Sequence, residues 1–371
     1  MVKKTNQKNW IEYKLSNLCD VRKFEKMDSI LYVGLENIGQ GNNQLIGRGD
    51  INDFSSNKNT FCKNDVLYGK LRPNLNKVWL ATEDGYCSTD ILPLKINEKT
   101  IPKIILSVLS GKKFVNHAMS SSSGTKMPRT KWKEIKSFTI SLPEINEQKK
   151  ITEILFDVDQ LIDHLFNLII KKKNIKQGVM QEFLTGKKRL DGFCDEWEEK
   201  ELQKIITEIK NGQLITEKTS IAGNIPVIGG GKTSSYSHHK PNRFHKTITI
   251  SASGANAGYV SFHDYPIFAS DCSTIEEGED YSIEFIYYQL KRLQLQIYHS
   301  QTGGNQPHIH AKELYPLKIP VPKTKKEQTM VSEVFLDMDS EIKELDNQLK
   351  KYQNIKQGIM QKLLTGEIRI K

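Results

Sequence analysis

Six cations fall in two clusters in the first half of the chain: Lys70, Arg72 and Lys77, then Lys126, Arg129 and Lys131 after a serine-glycine loop. A guanidinium can give two N–H donors at once to O6 and N7 of guanine, whereas an ammonium more often holds phosphate. The second half offers Lys232, the run His238-His239-Lys240 with Asn242 and Arg243, and the loop Asn305-Gln306 with His308 and His310. Asn and Gln amides match the N6/N7 edge of adenine. Tyr236 and Tyr259 could stack on bases or wedge between them, with core packing as the equal alternative. For any single residue the bland alternative is a solvated basic loop, and the expectation rests on the clusters.

Bond-breaking chemistry finds less support. Gly231-Lys232-Thr233 imitates the end of a phosphate-binding loop, but the first glycine of G-x4-G-K-(S/T) falls on Pro226. His308-x-His310 lacks a third metal ligand in sequence and reads as a polar loop. There is no G-x-S-x-G elbow, nor an (N/D/S)-P-P-(Y/F) adenine-methyltransferase motif. Asp90 and Asp271 occupy similar places in the two halves and read as structural carboxylates bonding local backbone donors.

The bulk composition agrees with a polyanionic partner. Among 371 residues, 54 Lys and Arg against 44 Asp and Glu leave a net charge of +10. Five cysteines without a C-x-x-C pair read as reduced thiols, and no apolar run is long enough to span a bilayer. The expected location is therefore cytoplasmic.

The elements that must position these loops are disclosed by a repeat. Residues 174–186 read NIKQGVMQEFLTG and 354–366 read NIKQGIMQKLLTG, identical at ten of thirteen positions. The match extends back through Asp157-x-Asp159 and Asp337-x-Asp339 to Glu147-Gln148 and Glu327-Gln328. One residue is inserted before that point. Gly124, Pro128, Lys133-Glu134, Ile140 and Pro143 then match Gly303, Pro307, Lys312-Glu313, Ile319 and Pro322. Trp10-x4-Leu15 matches Trp197-x4-Leu202. The order is domain, helix, domain, helix, with boundaries at 1–145, 146–190, 191–322 and 323–371.

Both helices show apolar residues at three- and four-residue spacing: Ile151, Ile154, Leu155, Val158, Leu161, Ile162, Leu165, Leu168 and Ile169 in the first, Val331, Val334, Phe335, Met338, Ile342, Leu345 and Leu349 in the second. Each helix would span roughly 55 Å. Neither buries its stripe alone. Packing on its own domain is one solution; antiparallel pairing of the two around a pseudo-two-fold axis is the favoured one. Gly178 and Gly358 would mark a close crossing or a bend, Gly186 and Gly366 the C-terminal caps. The charged run Lys171-Lys-Lys173 reads as a solvated face.

The segments between are rich in short β-branched runs and turn residues, which predicts mixed α+β domains. Laid over each other, 65–78 and 247–260 both read strand, loop, strand, with unlike loop contents. One scaffold was copied and its loops diverged, as expected of a rigid frame carrying recognition groups.

The order of parts, the NIKQG(V/I)MQ…LTG helix ends, the (S/T)G…P…KE(I/L)…I.(L/V)P…EQ stretch and IPVIGGG at 225–231 resemble the specificity subunit of type I restriction-modification systems over essentially the whole chain. The resemblance implies two target recognition domains, each reading half of a split, asymmetric site in double-stranded DNA, with two long antiparallel coiled-coil helices setting the spacer. It implies partnership with two modification subunits, which bring S-adenosylmethionine and methylate adenine N6. Two motor-nuclease restriction subunits using ATP and Mg²⁺ join in full restriction systems. No cofactor and no catalysis are expected of this chain. The alternatives are a specificity subunit of a methyltransferase-only or type IIB-like system, a coiled-coil scaffold that does not bind DNA, and a nuclease or methyltransferase in its own right.

Overall fold

A computed structural model describes residues 10–53, 57–124, 126–234, 236–303, 306–364 and 367–368. The chain forms two compact units. One comprises 1–165 and 348–371, the other 166–347, so each takes part of both long helices.

In the first unit, strands Cys19–Val21, Ile91–Ile96, Val66–Gly69 and Val78–Leu80 form an antiparallel sheet in that order. A second sheet orders Gly49–Asp50, Leu31–Val33, Gly85–Ser88 and Lys58–Phe61, with Leu31–Val33 parallel to Gly85–Ser88. Ile11–Lys14 pairs with Thr139–Leu142. The strand Val66–Gly69 is buried along its length because alternate residues serve two cores. Val66 and Tyr68 join the cluster under helices Pro102–Ser110 and Lys112–Ser120. Leu67 joins a second cluster with Phe61, Trp79 and Cys87. The first core also takes Ile151 and Leu155 from the central helix and Leu363 from the C-terminal helix.

The second unit repeats this plan. Lys210–Asn211, Cys272–Glu276, Thr247–Ser251 and Val260–His263 form the antiparallel sheet. Ser237–His238, Ile225–Ile228 and Phe268–Ala269 form the smaller mixed sheet, again with one parallel pair. Glu198–Glu201 pairs with Lys318–Val321. The main core joins Ile248, Ile250, Phe285 and Tyr288 to Leu184 of the segment after the central helix and to Val331 and Phe335 of the C-terminal helix.

The long helices run Ile145–Phe183 and Lys325–Leu364. Both expected modes of burial operate: helix ends pack into the domain cores, and within each unit the two helices are clasped antiparallel. Lys356 meets Asp159 at 2.6 Å in the first unit. Its counterpart Lys176 meets Asp339 at 2.5 Å in the second. This is one ion pair made twice, since Asp159 and Asp339, and Lys176 and Lys356, are the same positions of the repeat.

The duplicated Glu-Gln pair is an anchor. Gln148 is 2% exposed and Gln328 3%. Gln148 gives Nε2–H to the Pro143 carbonyl (2.9 Å) and accepts from Thr100 Oγ1 (2.9 Å). Gln328 accepts from the Ser282 amide (2.9 Å). Buried Glu327 is held by Trp197 Nε1 (3.0 Å) and Arg189 Nε (2.8 Å). An amide or carboxylate at such depth requires these partners.

Three helix expectations need correction. Ile151, Leu155, Leu165 and Ile169 are buried, but Ile154, Leu161 and Leu168, and Ile175 one heptad beyond the stripe named above, remain 37–44% exposed. Seven-residue spacing places those four on a flank the clasp does not reach. A Cβ on Gly178 or Gly358 would meet nothing within 4 Å, so neither marks a close crossing. Lys172 and Lys173 are not merely solvated: they meet Glu341 (2.6 Å) and Asp346 (3.7 Å) on the facing helix. Gly186, with φ 72°, follows the central helix as a cap; Gly366 lies outside the described residues. No helix among the described residues is long and apolar enough to cross a membrane.

Candidate nucleic-acid interface

In the first unit the loop 70–77, with the single turn Pro73–Leu75, joins strands Val66–Gly69 and Val78–Leu80. A second loop, 121–130, is stitched to it through the backbone. The Arg72 amide donates to the Pro128 carbonyl (2.7 Å), and the Thr130 amide to the Lys70 carbonyl (3.0 Å). Ser123 and Arg129 exchange both backbone bonds (3.0 and 2.9 Å). The Lys70 amide donates to the Asp90 carbonyl (2.9 Å). Backbone bonds of this kind specify a path without specifying side chains.

The second unit makes the same stitches. The Gly254 amide donates to the Pro307 carbonyl (3.1 Å), the Ile309 amide to Ala252 (3.0 Å), and the Ala252 amide to Asp271 (3.1 Å). Thr302 and His308 exchange bonds of 2.9 and 2.8 Å. Thus in each unit two segments separated by some fifty positions form one loop pair. A Cβ on Gly230 would lie 3.0 Å from the Ser253 carbonyl oxygen. A side chain there would be tightly crowded, and the glycine lets the 229–232 turn carry Lys232 to the second pair.

The individual residues divide by what occupies them. Arg72, Lys126, Arg129 and Lys131 are exposed, and Lys70 is half-buried. Arg129 donates Nε–H to Asp90 Oδ1 (3.0 Å) and Nη2–H to Oδ2 (3.2 Å). The hydrogen bond and charge of Asp90 raise its guanidinium above the usual range. Lys77 is turned away: its half-buried ammonium donates to the Leu35 carbonyl (2.5 Å). In the second unit Lys232 lies over the Tyr259 ring (5.4 Å). Gln306 and His310 are exposed, and the His308 and His310 rings are parallel with centroids 6.2 Å apart. His238, His239 and Lys240 follow the edge of the smaller sheet; His238 Nδ1 lies 2.9 Å from the Lys240 carbonyl oxygen and 3.2 Å from its amide nitrogen. Asn305 lies outside the described residues.

Asn242 and Arg243 are corrected to a structural role. Asn242 bonds both backbone groups of Ala269 (2.8 and 2.6 Å). Arg243 is 9% exposed and serves Thr274 Oγ1 (2.9 Å) and the carbonyls of Asn242 (2.8 Å) and Asn211 (3.0 Å). Their sequence neighbours are basic and exposed, which disguised them. Asp90 and Asp271 are also revised: their carboxylates hold the side chains of Arg129 and Ser253, not backbone donors. Tyr236 is a packing residue, its hydroxyl donating to the Ile215 carbonyl (2.8 Å).

Lys291 escaped the sequence reading because it lies in the amphipathic helix Ile283–Arg292. Its ammonium sits 4.8 Å from the Tyr259 ring that Lys232 also approaches. Burial, then the nearby Lys176 charge, lowers its pKa. Two ammonium groups therefore approach Tyr259, and that of Lys291 also donates to the Val260 carbonyl (3.3 Å).

Residues 7–175 and 194–356 match the model of the type I restriction modification DNA specificity domain, once for each half. The chain belongs to the type I DNA specificity family. A Mycoplasma pneumoniae protein named as a putative type I specificity subunit is 22% identical over 98% of both chains. A Mycoplasma genitalium counterpart is 22% identical over 98% of this chain and 95% of its own. The crystal structure of a type I system S subunit from M. genitalium superposes with a TM-score of 0.67 at 19% identity, covering 98% of each chain. At that identity the superposition speaks for the fold. A structure described in terms of complex assembly and conformational transition of a type I system gives a TM-score of 0.62 at 17% identity, covering 99% of this chain and all of that one.

Proposed function

We propose that this type I specificity subunit reads a bipartite, asymmetric site in double-stranded DNA, one half-site per recognition domain (1–145 and 191–322). The helical segments 146–190 and 323–371 set the spacer. The observation that carries the reading is the duplicated loop pair: one backbone path stitched the same way twice, bearing Arg72, Lys126 and Arg129 in one copy and Gly254, Gln306 and His308 in the other. A frame kept constant while its exposed side chains diverge is what reading two unlike half-sites requires.

In this reading the chain performs no chemistry. It positions two modification subunits that bring S-adenosylmethionine, and in a full system two restriction subunits that bring ATP and Mg²⁺. A methyltransferase-only or type IIB-like assembly would use the same surfaces. The test is single-molecule methylome sequencing of a host carrying the chain with its cognate modification subunit. A split motif with one N6-methyladenine per half, lost when this gene alone is deleted, is the expected result. Unchanged motifs after deletion, with the complex verified, would remove the reading and favour a scaffold that does not bind DNA.

A further inference from the structure

Arg129 differs from the other exposed cations of the first loop pair in how firmly it is held. Its backbone is fixed to Ser123 in both directions, and Asp90 grips its guanidinium through two hydrogen bonds. Asp90 is itself fixed, its carbonyl accepting from Lys70 and its amide donating to Ser88 Oγ (3.2 Å). The carboxylate takes the Nε/Nη2 edge of the guanidinium. The Nη1/Nη2 edge keeps two parallel donors, and among the described residues no other acceptor bonds it. The side chain is 45% exposed.

The chemistry of that remaining edge discriminates between ligands. Phosphate attracts net positive charge, but the Arg129–Asp90 pair is neutral as a unit and its carboxylate repels a nearby phosphate. A base edge needs oriented donors more than charge, and two coplanar N–H groups match O6 and N7 of guanine in the major groove. Building the pair into the loop's own stitching removes most of the rotamer freedom that reading would otherwise cost.

We propose that Arg129, oriented by Asp90 as a positioning residue, reads one guanine in the half-site of the first recognition domain. The proposal rests on the DNA-reading function above and assigns one base class at that site. At the matching positions of the second unit, His308 stands for Arg129 and Asp271 accepts from Ser253 Oγ. The two half-sites therefore differ at this contact.

The experiment measures binding of the complex with its modification subunits to duplexes substituted base by base through the methylated motif, at several salt concentrations. Arg129→Ala and Arg129→Lys should each lose about ten- to a hundredfold of discrimination at one G·C pair of one half-site, with the other half unchanged. Lysine keeps the charge, so its failure to rescue isolates the planar donor pair. Asp90→Asn should relax the same base pair while steepening the salt dependence, because it unmasks a positive charge; a merely structural Asp90 would not do both. A uniform loss over all sequences in Arg129→Ala, with a salt slope shallower by about one phosphate, would overturn the proposal and make Arg129 a phosphate ligand. A half-site without any guanine contact sensitive to Arg129 would also overturn it. Failure of the wild-type complex to discriminate any sequence would instead defeat the DNA-reading function itself.

Discussion

The two α+β domains share a sheet order and a loop path but are built differently beneath them. In the first, the strand Val66–Gly69 turns Leu67 into an apolar cluster with Trp79 and Phe61, whose rings meet edge to face at 5.9 Å. In the second, the matching positions are polar. Thr249 stands for Leu67 and bonds His263 (2.9 Å), which stands for Ala81, while Arg243 reaches Thr274 beside them. An apolar face tolerates substitutions of similar volume, whereas a buried polar network holds only while every member is satisfied. The loops differ in the opposite sense. Arg72 and Asn76 adopt φ of 50° and 48° where the second domain has Gly254 and Gly258 at 78° and 80°. The first domain thus keeps side chains where a left-handed backbone disfavours them, a strain of about 1–3 kcal/mol for a residue like Arg72. Asn76 tolerates that region and donates to the Ser110 carbonyl (2.9 Å), so the strained exposed side chain is Arg72, which the proposed reading of DNA would use.

The largest effect should come from the second domain's anchor. Arg189→Ala leaves Glu327, whose side chain is 3% exposed, without its cation. We expect a loss of about 3 kcal/mol in denaturant unfolding. Exchanging turn residues should break the symmetry of the loops. Gly258→Asn would place a Cβ 2.9 Å from Ile297 Cγ2, destabilising by about 2 kcal/mol. Asn76→Gly in the first domain should be far milder.

A pH titration sharpens the same contrast. Burial holds the His263 pKa down to about 4. Protonation is therefore harder in the folded state than in the unfolded one, so stability present above the ordinary histidine range is lost as pH falls toward 4. Between pH 7 and pH 5 this should cost about 2 kcal/mol. His263→Ala, which installs the first domain's residue, should remove that slope from unfolding curves; an unchanged slope would mean another group titrates. The smallest effects should be the repeated clasp. Lys176→Ala and Lys356→Ala each remove a partly exposed ion pair and should cost less than about 1 kcal/mol apiece in thermal unfolding.

Much of this was legible in sequence because duplication leaves identical strings. NIKQG and the Glu-Gln pair located both helices, and the displaced match of Gly124 and Pro128 with Gly303 and Pro307 located the second loop of each pair. Residue type alone could not separate Arg129 from Arg243. Both lie in basic, loop-like segments, but one projects from a stitched loop and the other enters a polar core that forms only when distant strands meet. Lys172 and Lys173 were indistinguishable from a solvated run because their partners lie some 170 positions away. Lys291 was hidden by the helical periodicity that placed it.

The central claim is that one frame reads two half-sites through separate loop sets, and the most direct measurement is the methylation motif written when one set is altered. Arg72→Gly and Lys126→Ala, introduced together, leave the second domain and both helices untouched. Methylome sequencing of a host carrying this variant should show one half of the motif relaxed or lost, with the other half and the spacer length unchanged. A change in both halves, a changed spacer, or an unaltered motif would contradict the account.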